Sequence, residues 1–248
     1  MDLDSFFNLT EKALTGDAPS QYELGRCFYK GIVVNQNFSM AYNWLIKAAE
    51  QGHDVAQDNI GSCYYNGEGV EKDDEKAFYW YKKAAEQGCA HAQNNLGLCY
   101  YWGIGVEQNF ENAVLWHIKA AEQGNARAQF DLGCCYHYGK GVEKDFENGI
   151  LWYTKAAEQG NADAQCNLGS IYETGAGVEK DYEKAIYWYN RAAEQGIDVA
   201  QYNLGLCYKN GKGINQNLKK AAIKRLHTKT YKPRIVKNHG SGYFFANF

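Results

Sequence analysis

A glycine followed nine positions later by a second glycine recurs every 36 residues along this chain of 248 residues. The first members are Gly16, Gly52, Gly88, Gly124, Gly160 and Gly196, and the second are Gly25, Gly61, Gly97, Gly133, Gly169 and Gly205. Repeats of this length cannot bury their apolar faces alone and fold by stacking on their neighbours. The period therefore predicts one quasi-linear array rather than one or two globular domains.

Each repeat carries the pattern of two helices joined by a tight turn. Ala92, Leu96 and Cys99 lie at helical spacing on the first helix of one repeat, and Gly103 and Gly105 follow it in the turn. The second helix should begin after an N-cap residue and end at the sequence Lys-Ala-Ala-Glu-Gln-Gly, whose glycine suits a left-handed helix end. The predicted N-caps are Asp73, Asn109, Asp145, Asp181 and Asn217. Val33 replaces the second turn glycine in the first repeat, where we expect a different turn.

Aromatic residues recur on the second helix. One position is tryptophan in the first five repeats, as Trp44, Trp80, Trp116, Trp152 and Trp188, and we expect these rings to fill the layers between repeats. His117 stands where other repeats have tyrosine, which predicts a packing role for this histidine.

The repeated motif resembles a known family. Its parts are Ala-x-Ala-Gln-x-Asn-Leu-Gly-x-Cys-Tyr, then Gly-x-Gly-Val-Glu-Lys-Asp, then Lys-Ala-Ala-Glu-Gln-Gly, and together they resemble the Sel-1-like repeat family, a relative of tetratricopeptide arrays. The resemblance implies an all-α fold, a right-handed α/α superhelical solenoid of nearly six helix-turn-helix repeats. It also implies an adaptor that brings proteins together.

The same pattern divides the chain into three parts. Residues 1–16 are predicted to form an N-terminal capping helix, residues 17–222 the repeat array, and residues 223–248 a divergent basic tail. The repeats are 17–52, 53–88, 89–124, 125–160, 161–196 and the partial 197–222.

Eight cysteines raise the question of disulfides. Five of them share one repeat position, occupied by Ile171 in the fifth repeat, and equivalent positions in stacked helix pairs lie roughly 10 Å apart. A disulfide needs Cα atoms within about 7 Å, so this set is predicted to be small buried apolar residues. The five are Cys27, Cys63, Cys99, Cys135 and Cys207.

The candidate partner site is the stripe of the first helix that faces away from the core positions. In arrays of this kind that stripe lines the concave face, and here it varies between repeats while the core positions do not. We expect a protein or peptide partner to bind at Tyr65, Asn94, Asn95, Leu98, Tyr101, Trp102, Phe130, His137 and Tyr138. The aromatic members also fit a second interpretation, ordinary packing between helices.

An asparagine ladder runs along the same stripe, with two interpretations. Its members are Asn59, Asn95, Asp131, Asn167 and Asn203. A side-chain amide both donates and accepts hydrogen bonds, so the ladder suits the backbone of an extended bound segment. It equally suits hydrogen bonds to neighbouring helices within the array.

Enzymatic interpretations find little support in the sequence. The Gly-x-Gly pairs lack a third glycine and follow no strand, so they do not match a phosphate-binding loop. Cys134, Cys135 and His137 are close in sequence, but no closing set of metal ligands accompanies them. We therefore expect no enzymatic activity, no cofactor, no metal and no small-molecule substrate.

Charge divides the chain unevenly. No acidic residue follows Asp198, so residues 199–248 sum to +10, while residues 1–198 sum to 16 − 29 = −13. The basic tail suggests an alternative function, an electrostatic tether that contacts nucleic acid or an anionic membrane. The sequence shows no signal peptide or membrane span, which predicts a cytoplasmic protein, with unconventional secretion also compatible.

Overall fold

The computed structural model describes residues 1–213, which contain twelve α-helices and no strand. The helices are α1 (Leu3–Leu14), α2 (Ala18–Lys30), α3 (Phe38–Glu50), α4 (Asp54–Asn66), α5 (Asp74–Glu86), α6 (Ala90–Trp102), α7 (Phe110–Glu122), α8 (Ala126–Tyr138), α9 (Phe146–Glu158), α10 (Ala162–Thr174), α11 (Tyr182–Glu194) and α12 (Asp198–Asn210). The basic tail 223–248 lies outside the described residues, so the tether alternative remains a prediction from the sequence.

The described chain divides into two compact units, residues 1–123 with α1 to α7 and the residues from 124 onward with α8 to α12. In the first unit α2 packs on α3, α4 on α5 and α6 on α7, and α3–α4 and α5–α6 contacts join the successive pairs. The second unit repeats this order through α8, α9, α10, α11 and α12. Helix α1 packs against α2. Stacked helix pairs of this kind make an all-α solenoid, as the period predicted.

The predicted helix ends are confirmed within the described residues. The side chains of Asp73, Asn109, Asp145 and Asp181 each accept a hydrogen bond from the backbone N–H three residues later. Their fifth counterpart, Asn217, lies beyond the described residues. The glycine that ends each Lys-Ala-Ala-Glu-Gln-Gly sequence has a positive φ, between 87° and 98°. Glycine tolerates this conformation because it lacks a Cβ atom.

The first turn does not differ from the others as expected. Val33 adopts φ 67°, close to the 75° of its counterpart Gly69, and is the one non-glycine residue with positive φ among those described. A Cβ atom on Gly69 would meet the backbone carbonyl of Phe38, at the start of the second helix of the preceding repeat. The first repeat has no preceding helix pair. Glycine is therefore required by contact with the previous repeat, and the turn itself tolerates valine.

A second glycine position sets the distance between the two helices of a pair. A Cβ atom on Gly61 would lie 2.6 Å from the ring of Tyr81, which is fully buried. The same contact recurs between Gly97 and His117, Gly133 and Tyr153, and Gly169 and Tyr189, with Leu45 against Gly25 in the first repeat. The packing role predicted for His117 is confirmed. In these four pairs the deepest ring is thus the residue after the tryptophan.

The tryptophans occupy a shallower layer than the sequence suggested. Trp80 and Trp188 are buried, but Trp44, Trp116 and Trp152 keep part of the ring in solvent. A lysine or arginine three residues later lies over each ring, with the Lys119 ammonium 3.9 Å from the Trp116 centroid as the shortest case.

Glutamine side chains join successive repeats. The Gln57 amide nitrogen donates to the backbone carbonyl of Ala49 in the preceding repeat, and its oxygen accepts from Gln87 at the end of its own second helix. Equivalent bonds link Gln21 with Ala13 and Gln51, Gln93 with Ala85 and Gln123, and Gln165 with Ala157 and Gln195. The buried glutamine amide thus has hydrogen-bond partners for both of its polar atoms. It also satisfies a free carbonyl at a helix end without burying a charge.

Replacing Gly61 by alanine should destabilise the protein although alanine favours helices. Helix propensity alone would stabilise by up to about 1 kcal/mol, whereas forcing a methyl group into the Tyr81 ring costs about 1 to 3 kcal/mol. Urea unfolding of the single variant measures the sum. In a Tyr81→Ala background the same change should become neutral or stabilising. Equal destabilisation in both backgrounds would show that the ring does not set this spacing.

Candidate functional site

We define the candidate stripe as five positions on the first helix of each repeat. In α6 they are Asn94, Asn95, Leu98, Tyr101 and Trp102. The equivalent residues are Tyr22, Glu23, Arg26, Tyr29 and Lys30 in α2; Asp58, Asn59, Ser62, Tyr65 and Asn66 in α4; Phe130, Asp131, Cys134, His137 and Tyr138 in α8; Cys166, Asn167, Ser170, Glu173 and Thr174 in α10; and Tyr202, Asn203, Leu206, Lys209 and Asn210 in α12.

The stripe of α6 is less accessible than the sequence predicted. Asn94, Asn95 and Leu98 are buried in this structure, and their part in partner binding stays a prediction. The Asn94 amide oxygen lies 2.9 Å from a ring nitrogen of His117, and the Asn95 amide donates to the Asp58 carboxylate at 2.9 Å. Both amides are therefore engaged by neighbouring helices of the first unit.

The aromatic end of this stripe stays partly open. Trp102 is 38% exposed and packs edge-on against Tyr101, their ring centroids 4.7 Å apart. Tyr101 also contacts the ring of Phe110, which begins the second helix of the same repeat. Tyr65, one repeat earlier, is half-buried with the Lys72 ammonium 5.1 Å from its ring centroid. These residues combine packing with a solvent-facing aromatic edge.

In the second unit, the α8 stripe forms an aromatic cluster around His137. Its ring lies 4.8 Å from Tyr138, 5.1 Å from Phe146 and 6.0 Å from Tyr153, measured between centroids. Burial and the nearby Lys144 lower the pKa of His137, which favours the neutral ring at neutral pH. Tyr138 is 57% exposed at the edge of this cluster.

The other half of the α8 stripe holds an ion pair. The Arg127 guanidinium lies 3.2 Å from the Asp131 carboxylate and 5.4 Å from the centroid of the Phe130 ring. Phe130 in turn packs against Tyr153, whose hydroxyl donates to the Cys134 sulfur at 3.3 Å. This part of the stripe therefore offers one cation, one carboxylate and one half-buried ring.

The residues of the asparagine ladder differ in their hydrogen-bond partners. Asn95 bonds Asp58, and Asn203 donates to the Tyr189 hydroxyl at 3.2 Å, so these two side chains have partners within the array. Asn59 is fully buried, and its side chain interacts with the Tyr22 hydroxyl of the preceding repeat. The interpretation of the ladder as an internal bonding network thus holds for part of it.

The cysteines, all within the described part of the chain, lie in environments that suppress thiolate chemistry. Burial raises the pKa of Cys63 and Cys134 to about 12, and that of Cys89, Cys166 and Cys207 to about 11. Thiols with such pKa values stay protonated at neutral pH and are poor nucleophiles. The five cysteines at the shared repeat position are all buried, which confirms their predicted place in the core.

The sequence analysis missed two contacts in which a stripe residue bonds a residue outside the stripe. Asn94 and His117 both depart from the residues found in other repeats, and this joint departure was the available signal that they meet. Arg127 and Asp131 stand four residues apart on a helix, the spacing of a surface ion pair. Neither of these sequence features indicates how deeply the stripe residues are buried.

Comparison with known proteins identifies the repeat. The Sel1 repeat model matches residues 18–53, 54–89, 90–125, 126–161, 162–197 and 198–223, most of the chain. The chain belongs to the Sel1 repeat family. Among the described residues, no helix combines the length and apolar character needed to cross a membrane.

Solved structures with the same fold are similar over nearly all of this chain. The c5321 protein of uropathogenic Escherichia coli strains, described as a protective antigen displaying an SLR fold, is 37% identical with a TM-score of 0.85 over 91% of this chain. A Sel1 repeat protein of Oxalobacter formigenes is 33% identical, with a TM-score of 0.79 over 93% of this chain and 99% of its own.

Two of the similar proteins are much longer than this chain. The chain spans 48% of the length of the E. coli protein. A sel1-like repeat-containing protein, L18, of Acanthamoeba polyphaga mimivirus is 39% identical over 46 residues, which are 8% of its length.

Asp58 should make stability depend on pH. Burial raises the pKa of its carboxyl to about 7, so the folded protein keeps a proton that the unfolded chain releases near pH 4. The stabilising effect of the protonated form is complete below about pH 4 and is lost as the pH rises to 7. Asp58→Asn keeps the acceptor for Asn95 and removes the charge. It should therefore add about 2 to 4 kcal/mol to the free energy of unfolding at pH 8 and little near pH 4.

Urea unfolding of both proteins between pH 4 and pH 8 measures this difference. The exposed Asp163, changed to asparagine on α10, serves as the matched control and should show no comparable gain. An Asp58→Asn effect that is the same at both ends of the pH range would contradict the assignment.

Proposed function

We propose that this protein is a non-enzymatic scaffold that binds segments of a partner protein on its candidate stripe, with Trp102 as an aromatic anchor in the first unit and Tyr138 as an anchor in the second. Sel1 repeat proteins are generally protein-interaction scaffolds, which supports the broad class. The stripe residues and the partner are our proposal.

The proposal rests on which residues occupy one position of the repeat, the last position of the stripe. Trp102 and Tyr138 occupy it in two consecutive repeats and are 38% and 57% exposed. Asn66, Thr174 and Asn210 occupy the same position in other repeats. Because polar residues serve equally well there, the fold does not require an aromatic ring, and the two rings are available for recognition.

The surroundings of these rings suit a partner segment with apolar side chains. Tyrosine and tryptophan are enriched among the residues that dominate binding energy at interfaces. Trp102 is supported by Tyr101, and Tyr138 by His137, so each ring is held by an edge-on aromatic contact before a partner arrives. A ring held in place loses less conformational entropy on binding.

Alanine at Trp102 and Tyr138, introduced singly and together, tests the proposal. Proteins captured by the intact chain are identified, produced in pure form, and their affinities for each variant measured by calorimetry. Loss of a dominant aromatic anchor costs about 2 kcal/mol or more, so we expect the double variant to bind at least roughly thirtyfold more weakly, with unchanged circular dichroism.

A matched control lies on the second helices. Tyr79 and Leu115 are 50% and 57% exposed, so replacing both by alanine removes a similar apolar surface from another face. The control should bind with the affinity of the intact chain. Unchanged affinity of the Trp102 and Tyr138 variant would contradict the proposal, and loss of affinity in the control alone would place the binding surface on the second helices.

A further inference from the structure

The fourth position of the candidate stripe meets the turn of the following repeat, a contact that we call a repeat joint. The Tyr29 hydroxyl donates to the Glu68 carboxylate at 2.8 Å, and the Lys212 ammonium donates to the Glu173 carboxylate at 3.2 Å. Glu68 and Lys212 each stand between the two glycines of a turn, 39 residues after the stripe residue that they bond. Each of these two joints therefore pairs one donor with one carboxylate.

The joint that follows His137 lacks such a pair. The turn residue 39 positions later is Ala176, whose methyl group cannot form a hydrogen bond. The buried Nδ1 atom of His137 has no hydrogen-bond partner among the described residues. One side of this joint is thus polar, and the other side supplies no polar side chain.

Ring contacts show that His137 holds the place that Tyr29 holds in the first repeat. The centroid of the Tyr29 ring lies 5.1 Å from that of Phe38, with an angle of 67° between the ring planes. His137 lies 5.1 Å from Phe146, the equivalent ring of its own repeat, with an angle of 71°. Both side chains are therefore directed alike towards the turn of the next repeat.

The turn after His137 leaves space for a further side chain. A Cβ atom on Gly177 would overlap Phe146, so the turn that carries Ala176 lies beside the same ring. Ala176 lacks the Cγ, Cδ and carboxylate oxygens that Glu68 places in its joint. In another joint Ile104 fills this space with an apolar side chain that packs on the core. The alanine leaves the space of a glutamate side chain open.

The burial of Nδ1 determines which nitrogen of the His137 ring carries the proton. Burial and the nearby Lys144 lower the pKa of His137, so the ring is neutral at neutral pH and holds one proton. A buried N–H without an acceptor is rarer in proteins than a buried acceptor without a donor. The proton therefore resides on Nε2, and this N–H is the donor that the ring offers.

Charge at this joint favours an anionic acceptor. The Lys144 ammonium lies 4.4 Å from the centroid of Phe146, so a positive charge stands beside the ring that His137 contacts. Glu173, the stripe carboxylate of the next helix, is already bonded to Lys212 within the array. A carboxylate placed at the joint accepts a hydrogen bond from His137 and is attracted by Lys144.

We propose that the joint between His137 and Ala176 is a subsite for an aspartate or glutamate side chain of the bound partner segment. The carboxylate accepts a hydrogen bond from Nε2 of His137, as the Glu68 carboxylate does from Tyr29. Tyr138 is adjacent, its ring centroid 4.8 Å from that of His137, so the acidic residue lies next to the apolar residue that packs on this anchor. The inference rests on the proposed function, because it specifies the partner bound at the stripe of the second unit.

A glutamate introduced at the joint tests its geometry without any partner. In Ala176→Glu the new carboxylate stands as Glu68 does in its own joint, and it should raise the pKa of His137 by about 1, because a neighbouring negative charge favours the charged ring. NMR titration of the full chain measures this pKa, with the His137 signal identified by its loss in His137→Phe. An unchanged pKa, or an equal rise in Ala176→Gln, would overturn the proposal.

Selection from a displayed library of short random peptides tests the chemistry of the partner. The full chain should enrich peptides that carry an acidic residue at a fixed spacing from an apolar residue. His137→Phe keeps a ring against Phe146 and removes the donor, so it should lose the acidic preference and keep the apolar one. Ala176→Glu should also lose the acidic preference, because its own carboxylate occupies the joint.

Ile32→Glu provides the matched control. It adds the same charge at the same turn position of the first repeat, where no preceding repeat forms a joint, and it should select the same peptides as the intact chain. Replacing the acidic residue of a selected peptide by its amide should weaken binding to the intact chain about tenfold, since a hydrogen bond to a charged group is lost. Calorimetry should show no such loss for His137→Phe.

The subsite and the scaffold proposal fail in different ways. An acidic preference that is absent from the intact chain, or that persists in His137→Phe or Ala176→Glu, would overturn the subsite. Selection of apolar residues alone would do so while leaving the scaffold proposal standing. An apolar preference that persists when Trp102 and Tyr138 are both alanine would instead contradict the choice of these anchors.

Discussion

The contact between a glycine on the first helix and a buried side chain on the second, a ring in every described pair but the first, determines the spacing of the two helices. The ring of Tyr81 lies so close to Gly61 that no side chain fits between them. Because the ring passes beside the first helix, its hydroxyl reaches the candidate stripe and donates to Ser62. In later repeats the corresponding hydroxyls of Tyr153 and Tyr189 donate to Cys134 and Glu173. The glycine contact thus links the core to the surface proposed for recognition.

When the residue at the deep ring position changes, the stripe residue that it bonds changes as well. His117 replaces the tyrosine in α7, and its ring nitrogen lies against Asn94 rather than against the residue that accepts from a tyrosine hydroxyl. The equivalent of Ser62 in α6 is Leu98, so the shorter histidine ring takes a partner four residues, or about one helical turn, earlier on the first helix. Stripe residues are therefore free to vary only where the deep ring does not bond them.

Much of the fold followed from the sequence because helix ends and turns depend on local residues. N-caps such as Asp73 and the positive φ of the helix-ending glycines obey local rules that the printed motif reveals. The prediction of a different turn at Val33 was wrong. In later repeats the equivalent glycine is required by contact with the preceding repeat, as Gly69 is by Phe38, and the sequence of a single repeat does not show that contact. The tryptophan layer was placed too deep for a similar reason, since periodicity identifies a face but not the residue at its centre.

The stripe was less predictable than the fold. Helical spacing indicates which residues share a face, and it correctly separated this stripe from the core positions around Ala92 and Leu96. It carries no information on what else covers that face. The buried side chains of Asn94 and Asn95 bond residues of other helices, and those contacts are not encoded within one repeat.

The account rests on the claim that core positions carry the fold while stripe positions carry recognition. Transplanting the outward positions of α10 into α8 measures this directly, with Asp, Cys, Asn, Ser, Glu and Thr placed at Arg127, Phe130, Asp131, Cys134, His137 and Tyr138. Because α10 carries these residues at the same repeat positions, the account predicts an unchanged helical spectrum, a cooperative unfolding transition and weakened partner binding. An unfolded chain, or one that binds its partners with unchanged affinity, would contradict it.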